Sequence, residues 1–493
     1  MTSGEPARRA RPPDVFVVVL DTARRDVLSG GAAAASGQPF LDELRQQCWV
    51  HARTIAPAPW TAPSHASLFT GTAPHEHRVH LKGQPKLAPG SSTLAGSLGQ
   101  LGYRTASFTA NNFVGPLTGL QQGFDDWWVG GKQDWLLRGF RGAPTEASRP
   151  RTGTRLARVA HFGLQEPMWS WIARYPRAID RISPLLAGRQ RGPERMRVAP
   201  WIEEELLGWL ADGSSEQPVF AFVNYMEPHE PYFGIQPSPC DGVPPWAGAV
   251  RQDSSNWAIG SWTPSDGQLA SLRRAYDETF RTLDDRLRSL VRLLQDAGRW
   301  ENSLFVLTSD HGQAFGEAGV LFHGLRTAES LLRVPLWIRP PRGVAVPLPP
   351  NDWISLSAVR PAIESIVRAV GSDAPASTEA AAAGETAPVL AIADGLGGIV
   401  RARVPAERLK LLDRLEVAAY LGSRKLAMDV ATERCTVVDV EEDPKELHPV
   451  EVVPTGELEP LFQALRSTAR LTFPEHVAGT VSVDDRLTSW GYV

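Results

Sequence analysis

Two apolar runs of the sequence are followed by side chains that could do chemistry. Asp21 comes directly after residues 15–20, and Asp310 and His311 come just after residues 304–308. If both runs are parallel strands, their carboxyl ends lie at one edge of a sheet and bring two carboxylates and an imidazole together. That combination predicts a cation site. A lone aspartate after a strand is also a common turn or helix-capping residue, so Asp21 by itself has two interpretations.

The triple Asp310-His311-Gly312 makes the cation site more specific. An acid and an imidazole side by side are typical metal ligands. The glycine after them tolerates backbone conformations and close contacts that other residues do not. We therefore expect another group to approach the backbone at Gly312.

A third candidate is Thr61, which precedes a segment with a helical pattern. Pro63 suits the first turn of a helix, so Thr61 is predicted close to a helix N-terminus. Exposed N–H groups and the helix dipole favour an anion at that position. Thr61 is thus either a residue that meets an anionic ester or an ordinary N-cap.

The elements that must position these residues follow an α/β pattern. Helical patterns alternate with apolar runs that predict buried strands, at residues 15–20, 104–109, 219–223, 304–308 and 334–338. The alternation predicts a mostly parallel central sheet flanked by helices. Residues 267–298 predict one long amphipathic helix, or two joined.

The chain divides into a catalytic α/β domain at residues 12–370, a flexible connector at 371–388 and a small C-terminal domain at 389–493. The small domain is predicted to be an antiparallel sheet with a covering helix, from patterns at residues 416–421, 425–430, 435–440 and 456–470. An Arg- and Trp-rich stretch at about residues 127–200 is interpreted as an insertion. It is either a solvated helical face or a surface for an acidic or aromatic substrate.

Composition excludes several classes of partner. The 493-residue chain has a net charge of −4, with 22% charged and 42% hydrophobic residues, so nothing attracts it globally to nucleic acid or a membrane. No nucleic-acid partner and no membrane span are predicted. The basic N-terminal segment lacks the apolar stretch of a secretory signal, and the three cysteines are scattered, so we predict a cytoplasmic protein. The oligomeric state is left open.

Five segments together resemble the sulfatase-type branch of the alkaline phosphatase superfamily. They are V-V-L-D-T-x-R-R-D from Val18, W-T-A-P-S-H-A-S-L-F-T-G from Trp60, M-E-P-H-E-P-Y from Met226, T-S-D-H-G-Q-A-F-G-E from Thr308 and H-G at His323. Their order and spacing are similar to the family's, and residues 437–446 resemble the YDL-x-x-DP-x-E signature of the sulfatase C-terminal domain. The resemblance implies that fold and an enzyme acting on a small anionic ester.

The resemblance also implies roles for individual residues. Those that correspond to metal ligands are Asp21, Thr61, Asp310 and His311. Thr61 corresponds to the nucleophile as well, and His229 corresponds to a substrate-binding or general-acid histidine. His323 lies where relatives place a Lys or His against the ester or its leaving group. Each of these two histidines is otherwise a hydrogen-bonded structural residue.

Departures from the family pattern bear on the chemistry. Thr61 replaces the Cys or Ser that becomes formylglycine, so no formylglycine is expected, and His65 replaces the usual Arg. Thr22 replaces the second of the family's paired acids. The remaining shell of two carboxylates, an imidazole and a hydroxyl predicts one divalent metal ion, Zn²⁺ or Mn²⁺ in preference to Ca²⁺. The candidates for substrate binding are Thr22, His65, Asn111 and Asn112.

Three functions remain open at the level of sequence. The first is hydrolysis or transfer of phosphate or phosphonate esters, as a phosphodiesterase or phosphotransferase with a metal-activated Thr61 nucleophile. The second is sulfuric ester hydrolysis or sulfuryl transfer at the same site without formylglycine. The third is a catalytically degenerate member that binds a ligand without turnover.

Overall fold

The computed structural model describes residues 11–28, 38–80, 85–129, 200–230, 232, 257–370, 388–396 and 404–474. The strands are β1 (Asp14–Leu20), β2 (Trp49–His51), β3 (Thr54–Ile55), β4 (Arg104–Thr109), β5 (Asp126–Val129), β6 (Val219–Tyr225), β7 (Ser303–Thr308), β8 (Ala314–Phe315), β9 (Leu321–Phe322), β10 (Leu336–Arg339), β11 (Ile354–Ser355), β12 (Val389–Ala393), β13 (Glu416–Leu421), β14 (Arg424–Asp429), β15 (Cys435–Asp439) and β16 (Val450–Val452). The α-helices are α1 (Arg25–Leu28), α2 (Pro39–Gln46), α3 (Thr61–Thr70), α4 (Pro74–His77), α5 (Leu94–Gln100), α6 (Pro200–Ala211), α7 (Asp266–Asp296), α8 (Glu329–Leu332), α9 (Val359–Val370), α10 (Ala406–Leu412) and α11 (Glu459–Thr472). Short 3-10 turns lie at Glu317–Gly319, Leu356–Ala358 and Gly456–Leu458. Most of the predicted insertion and nearly all of the predicted connector lie outside the described residues.

The central sheet has seven strands in the order β2-β10-β7-β1-β6-β4-β5. Neighbours from β7 to β5 pair in parallel, and β10 is antiparallel to both β7 and β2. Every residue of β1 is buried, which explains why residues 15–20 are a continuous apolar run and do not alternate with polar residues. The predicted mostly parallel α/β sheet is confirmed. The predicted strand at residues 334–338 begins only at Leu336, after Pro335, which cannot donate to a ladder.

Helices cover both faces of this sheet. Phe16, Val18 and Leu20 of β1 belong to a core that also contains buried side chains of α2, α6 and α7. The intervening valines belong to a second core with side chains of α3, α5 and α9. α7 is a single helix, as one of the two sequence interpretations had it, and Ser265 begins it with a capping box to Gln268.

A second sheet contains β12, β13, β14, β15 and β16, each antiparallel to its neighbour. Helix α11 packs on it, with Leu461, Leu465 and Ala469 in a core shared with β13 and β14. The small antiparallel sheet with a helix is therefore confirmed. The outer strands β12 and β16 were absent from the sequence prediction.

Buried ion pairs join the second sheet to the segment between β9 and β10. Glu416 of β13 accepts a hydrogen bond from Arg326 Nη2 at 2.9 Å. Lys425 of β14 is 1% exposed, and its Nζ lies 2.7 Å from Glu446 Oε1 and 3.6 Å from Glu329 Oε1. Glu446 ends the D-P-x-E sequence, and its Oε2 accepts from the Glu329 backbone N–H at 2.8 Å. The second sheet is thus bound to α8 of the large domain.

Candidate active site

The structure brings Asp21, Asp310 and His311 together at the carboxyl edge of the central sheet. Asp21 follows β1, and Asp310 and His311 follow the neighbouring strand β7. All three side chains are buried, and one ligand atom from each lies within 4.8 Å of the others. Asp21 Oδ1, Asp310 Oδ2 and His311 Nε2 have no hydrogen-bond partner among the described residues. Buried polar atoms without partners are costly, so this donor set fits a divalent cation.

The other polar atom of each of these side chains is held in place. Asn111 Nδ2 donates to Asp21 Oδ2 at 2.7 Å. Asp310 Oδ1 accepts from the backbone N–H groups of Thr22 at 3.2 Å and of His311 at 2.9 Å. The His311 Nδ1–H donates to the Gly312 carbonyl oxygen at 2.9 Å, which leaves Nε2 as the nitrogen that could bind a cation.

Electrostatics at this pair of carboxylates also fit a cation. Burial, and then the charge of Asp21, raises the pKa of Asp310 well above its ordinary value. Burial opposes ionisation of Asp21 too, but His229 and His311 lower its pKa below the ordinary value. Burial lowers the pKa of His311 to about 3, so its imidazole is neutral and can serve as a ligand.

Thr61 begins α3, after Trp60 in an extended conformation, so its hydroxyl lies at the helix N-terminus. Asn111 Nδ2 donates to Thr61 Oγ1 at 3.4 Å and so contacts both Thr61 and Asp21. His65 is fully buried one turn along α3, where its Nδ1–H donates to the Thr61 carbonyl oxygen at 2.9 Å. The same nitrogen lies 3.5 Å from Asp310 Oδ2. Asn112 is the half-buried neighbour of Asn111.

Thr22 occupies an unusual backbone conformation beside the carboxylates. It is fully buried with φ at 60°, a region that β-branched residues rarely adopt. Its hydroxyl has no hydrogen-bond partner within the described part of the chain. Tyr276 of α7 stabilises this turn, because its hydroxyl donates to the Thr22 carbonyl oxygen at 2.9 Å and accepts from the Arg24 N–H at 2.8 Å. No sequence motif singles out Tyr276.

His229 and His323 lie together above His311. The ring centroids of His229 and His323 are 4.9 Å apart, and those of His311 and His323 are 4.6 Å apart. Glu230 Oε2 lies 3.6 Å from His229 Nδ1 and 3.8 Å from His323 Nδ1. Sequence reasoning missed Glu230, although its position next to His229 in the H-x-P-Y segment was a usable signal.

Gly312 makes room for another part of the protein. A Cβ atom at this position would lie 2.0 Å from the Ser330 carbonyl oxygen, and the Gly312 N–H donates to the Leu331 carbonyl oxygen at 2.7 Å. The group that approaches the backbone is therefore α8, which packs against the loop after β7. The expectation that the glycine makes room for another group is correct, but that group belongs to the protein.

The family model for sulfatases matches residues 13–351, which is more than half of the chain. The chain belongs to the sulfatase family, and with it to the alkaline phosphatase superfamily that the motifs resemble. It is an ester hydrolase of that class.

Individual relatives are distant in sequence and similar in fold. A choline-sulfatase of Rhizobium meliloti (strain 1021) is 24% identical over 469 residues, covering 85% of this chain and 84% of the relative. The phosphonate monoester hydrolase of Agrobacterium radiobacter superposes with a TM-score of 0.60 at 17% identity, covering 96% of this chain and 98% of the other. The phosphonate monoester hydrolase of Silicibacter pomeroyi has a TM-score of 0.61 at 17% identity, with the same coverage.

Among the helices in the described ranges, none combines the length and apolar character needed to cross a bilayer.

Proposed function

We propose that this chain cleaves or transfers phosphate or phosphonate esters of small molecules, with Thr61 as the nucleophile. The observation that carries the proposal is the position of Thr61. Its hydroxyl lies at a helix N-terminus and shares the Asn111 amide with Asp21, whose other carboxylate oxygen has no hydrogen-bond partner among the described residues. A nucleophile, a cation site and an anion-favouring helix end therefore meet at one point.

In this proposal the cation is held by Asp21, Asp310, His311 and the Thr61 hydroxyl. A divalent ion bound there favours the alkoxide of Thr61 and neutralises charge on the attacked ester. Zn²⁺ and Mn²⁺ suit a shell with an imidazole better than Ca²⁺ does. A single ion of that kind is proposed, without formylglycine, because the usual modification needs a Cys or Ser in place of Thr61.

The protein side chains divide the remaining work. Thr61 Oγ1 forms a bond to phosphorus while the bond to the leaving oxygen breaks. His323 or His229 gives that oxygen a proton, and water or an acceptor alcohol then cleaves the phosphothreonine and restores the histidine proton. Asn111 positions Thr61, and His65 orients the first turn of α3 through its hydrogen bond to the Thr61 carbonyl. Thr22 and Asn112 are proposed to contact the substrate.

Sulfuric ester hydrolysis is the second candidate. It is favoured by the match to a choline-sulfatase along most of both chains. The same Thr61 and histidines would act on sulfur in place of phosphorus. The two candidates therefore differ in which ester turns over and not in the residues involved.

The test is a side-by-side assay of metal-free and Zn²⁺- or Mn²⁺-loaded protein on bis-4-nitrophenyl phosphate, 4-nitrophenyl phenylphosphonate and 4-nitrophenyl sulfate. Metal-dependent cleavage of the phosphorus esters supports the first proposal, and selective cleavage of the sulfate supports the second. Thr61→Ala should abolish turnover. The matched control is Thr70→Ala at the other end of α3, which should retain it. Wild-type activity in Thr61→Ala would exclude Thr61 as the nucleophile.

A further inference from the structure

The imidazole of His323 is held by a buried glutamine. Its Nδ1 lies 2.8 Å from Gln313 Oε1, and Gln313 is fully buried. The amide oxygen can only accept, so Nδ1 is the donor and carries a proton. Gln313 lies two residues after His311, on the loop that follows β7.

The orientation of the Gln313 amide is determined by its other partners. Its Nε2 donates to Glu230 Oε2 at 2.8 Å and to the Tyr232 hydroxyl at 2.7 Å. The opposite orientation would place the amide oxygen against the Glu230 carboxylate, where two acceptors would meet. Glu230 thus fixes Gln313, and Gln313 fixes the tautomer of His323.

This arrangement argues against a second cation held by His229, Glu230 and His323, whose ligand atoms lie within 4.8 Å of one another. The Nδ1–H of His229 donates to the Glu230 carbonyl oxygen at 2.6 Å, and that of His323 donates to Gln313. The nitrogens nearest the Glu230 carboxylate are therefore occupied by protons. A cation bound to the Glu230 carboxylate would have to displace the hydrogen-bond donors that surround it.

We propose that Gln313 and Glu230 are positioning residues that hold His323 with its Nε2 directed at the leaving oxygen. The inference rests on the proposed function. In the transfer step the Thr61 hydroxyl proton passes to Nε2 of the neutral His323 while Thr61 Oγ1 forms its bond to phosphorus. The P–O bond to the leaving group then breaks and Nε2 passes this proton to the leaving oxygen, while the Nδ1 proton stays bonded to Gln313. A carboxylate–amide–imidazole chain serves here as the carboxylate–imidazole pair serves in other hydrolases.

The experiment compares phenyl and 4-nitrophenyl esters of phenylphosphonate with the metal-loaded full-length protein. A phenol leaves poorly without a proton, whereas 4-nitrophenolate leaves well. Gln313→Leu should lower kcat on the phenyl ester by about 100-fold or more, with little change in KM. Its kcat on the 4-nitrophenyl ester should fall by less than about tenfold. The matched control is Gln463→Leu, an exposed glutamine on α11, which should change neither rate.

A second variant exchanges the two side chains. In Glu230→Gln/Gln313→Glu the new amide at 230 can donate to the new carboxylate at 313, which still accepts from His323 Nδ1. The kcat on the phenyl ester should be within about tenfold of wild type, and therefore well above that of Gln313→Leu. Nitrogen NMR of histidine-labelled, metal-free protein should show a protonated Nδ1 for His323 in wild type and the double variant, and a changed tautomer in Gln313→Leu.

The outcomes separate this inference from the proposed function. No turnover of either ester by wild type overturns the proposed function itself. Turnover by wild type with equal losses on both esters in Gln313→Leu shows that Gln313 only supports the fold. Two bound metal equivalents in wild type and one in Glu230→Gln would replace the positioning role by a second cation site.

Discussion

At the scale of single residues, the two buried carboxylates dominate the candidate site. Asp21 and Asp310 are both buried, and each has one carboxylate oxygen without a hydrogen-bond partner among the described residues. Like charges repel more strongly away from water, so in the absence of a cation this pair destabilises the fold. Burial, and after it the charge of Asp21, raises the pKa of Asp310.

Asp310→Asn should therefore make the metal-free protein more stable while abolishing metal binding. Asn keeps the acceptor oxygen for the backbone N–H groups of Thr22 and His311 but removes the charge. In EDTA at pH 7.5 the thermal midpoint should rise by about 2 °C or more, measured by scanning calorimetry.

The matched control for that variant is Asp284→Asn on α7. Asp284 is also buried, but it accepts from the backbone N–H of Leu41 at 2.7 Å and from Arg288 at 3.1 Å. Loss of its charge should lower the midpoint. A midpoint that falls in both variants would show that Asp21 and Asp310 do not repel each other in the folded state.

Residue types alone disclosed only part of the site. Asp21, Thr61, Asp310 and His311 stand out because acids, a hydroxyl and an imidazole follow apolar runs or begin a helix. Supporting residues lack such a signal. Tyr276 lies in the middle of the long helix α7 and donates a hydrogen bond to Thr22. In the sequence, a tyrosine at such a position looks like an ordinary residue of the hydrophobic core. The closeness of residues so far apart in sequence follows only from packing.

At the scale of elements, the predicted strands of five or more residues are those with apolar or alternating patterns, and burial is complete in three of them. β1, β6 and β7 each contain a continuous apolar run because both of their faces are covered. The missed strands of three or more residues are β2, β5, β12 and β16, which lie at sheet edges, where partial burial weakens the apolar pattern. The two-residue strands β3, β8, β9 and β11 are too short to show a pattern and were missed too. Residues 127–129, at the start of the stretch interpreted as an insertion, belong to the edge strand β5.

The edge strand β2 contains a histidine that should make stability depend on pH. Burial lowers the pKa of His51 to about 4, and its neutral form accepts from Thr54 Oγ1 at 2.8 Å while Nε2–H donates to the Pro349 carbonyl at 3.1 Å. The unfolded chain binds this proton near pH 6.5 and the folded chain does not. Because of His51, the free energy of unfolding should fall by roughly 1.4 kcal/mol for each pH unit as the pH falls from about 6.5 to about 4.

Urea unfolding of wild type and His51→Gln between pH 4.5 and 7.5 measures this contribution. The unfolding free energy should change less steeply with pH in His51→Gln. The difference between the two slopes should correspond to about one proton taken up on unfolding. Identical slopes in the two proteins would show that His51 is charged in the folded state.

The contact between the second sheet and α8 should be sensitive to loss of Lys425. Its removal leaves the buried Glu329 carboxylate and the partly buried Glu446 carboxylate without their cation. Lys425→Met should lower the unfolding free energy by about 3–5 kcal/mol, measured by urea denaturation. Arg434→Met, which breaks an exposed pair with Glu451, should have little effect. Equal effects of the two substitutions would contradict a buried, mutually dependent cluster.

At the scale of the whole molecule, the family and the fold are established, and the ester it cleaves is a proposal. Relatives of this fold act on sulfate and on phosphonate esters, as their names state. Fold similarity at 17% identity does not transfer specificity.

Metal binding should stabilise the whole chain and not only the site. An ion bound to the native state alone contributes about 2.7 kcal/mol at a concentration 100 times its Kd. Titration of metal-free wild type with Zn²⁺ or Mn²⁺ should raise the thermal midpoint, while Asp310→Asn should show no rise. An equal rise in both proteins would place the ion elsewhere.

The contact of Gly312 with Ser330 limits how far this chain can be truncated. Ser330 adjoins Glu329, which the second sheet holds through Lys425 and Glu446. The loop that contains Asp310, His311 and Gly312 is thus supported, through α8, by the second sheet. A gene cut after residue 351, where the family match ends, would encode all the candidate metal ligands. It would lack the second sheet that supports the loop containing Asp310, His311 and Gly312. We therefore expect relatives with this site to keep both sheets. Differences in chain length among them should lie in the loops.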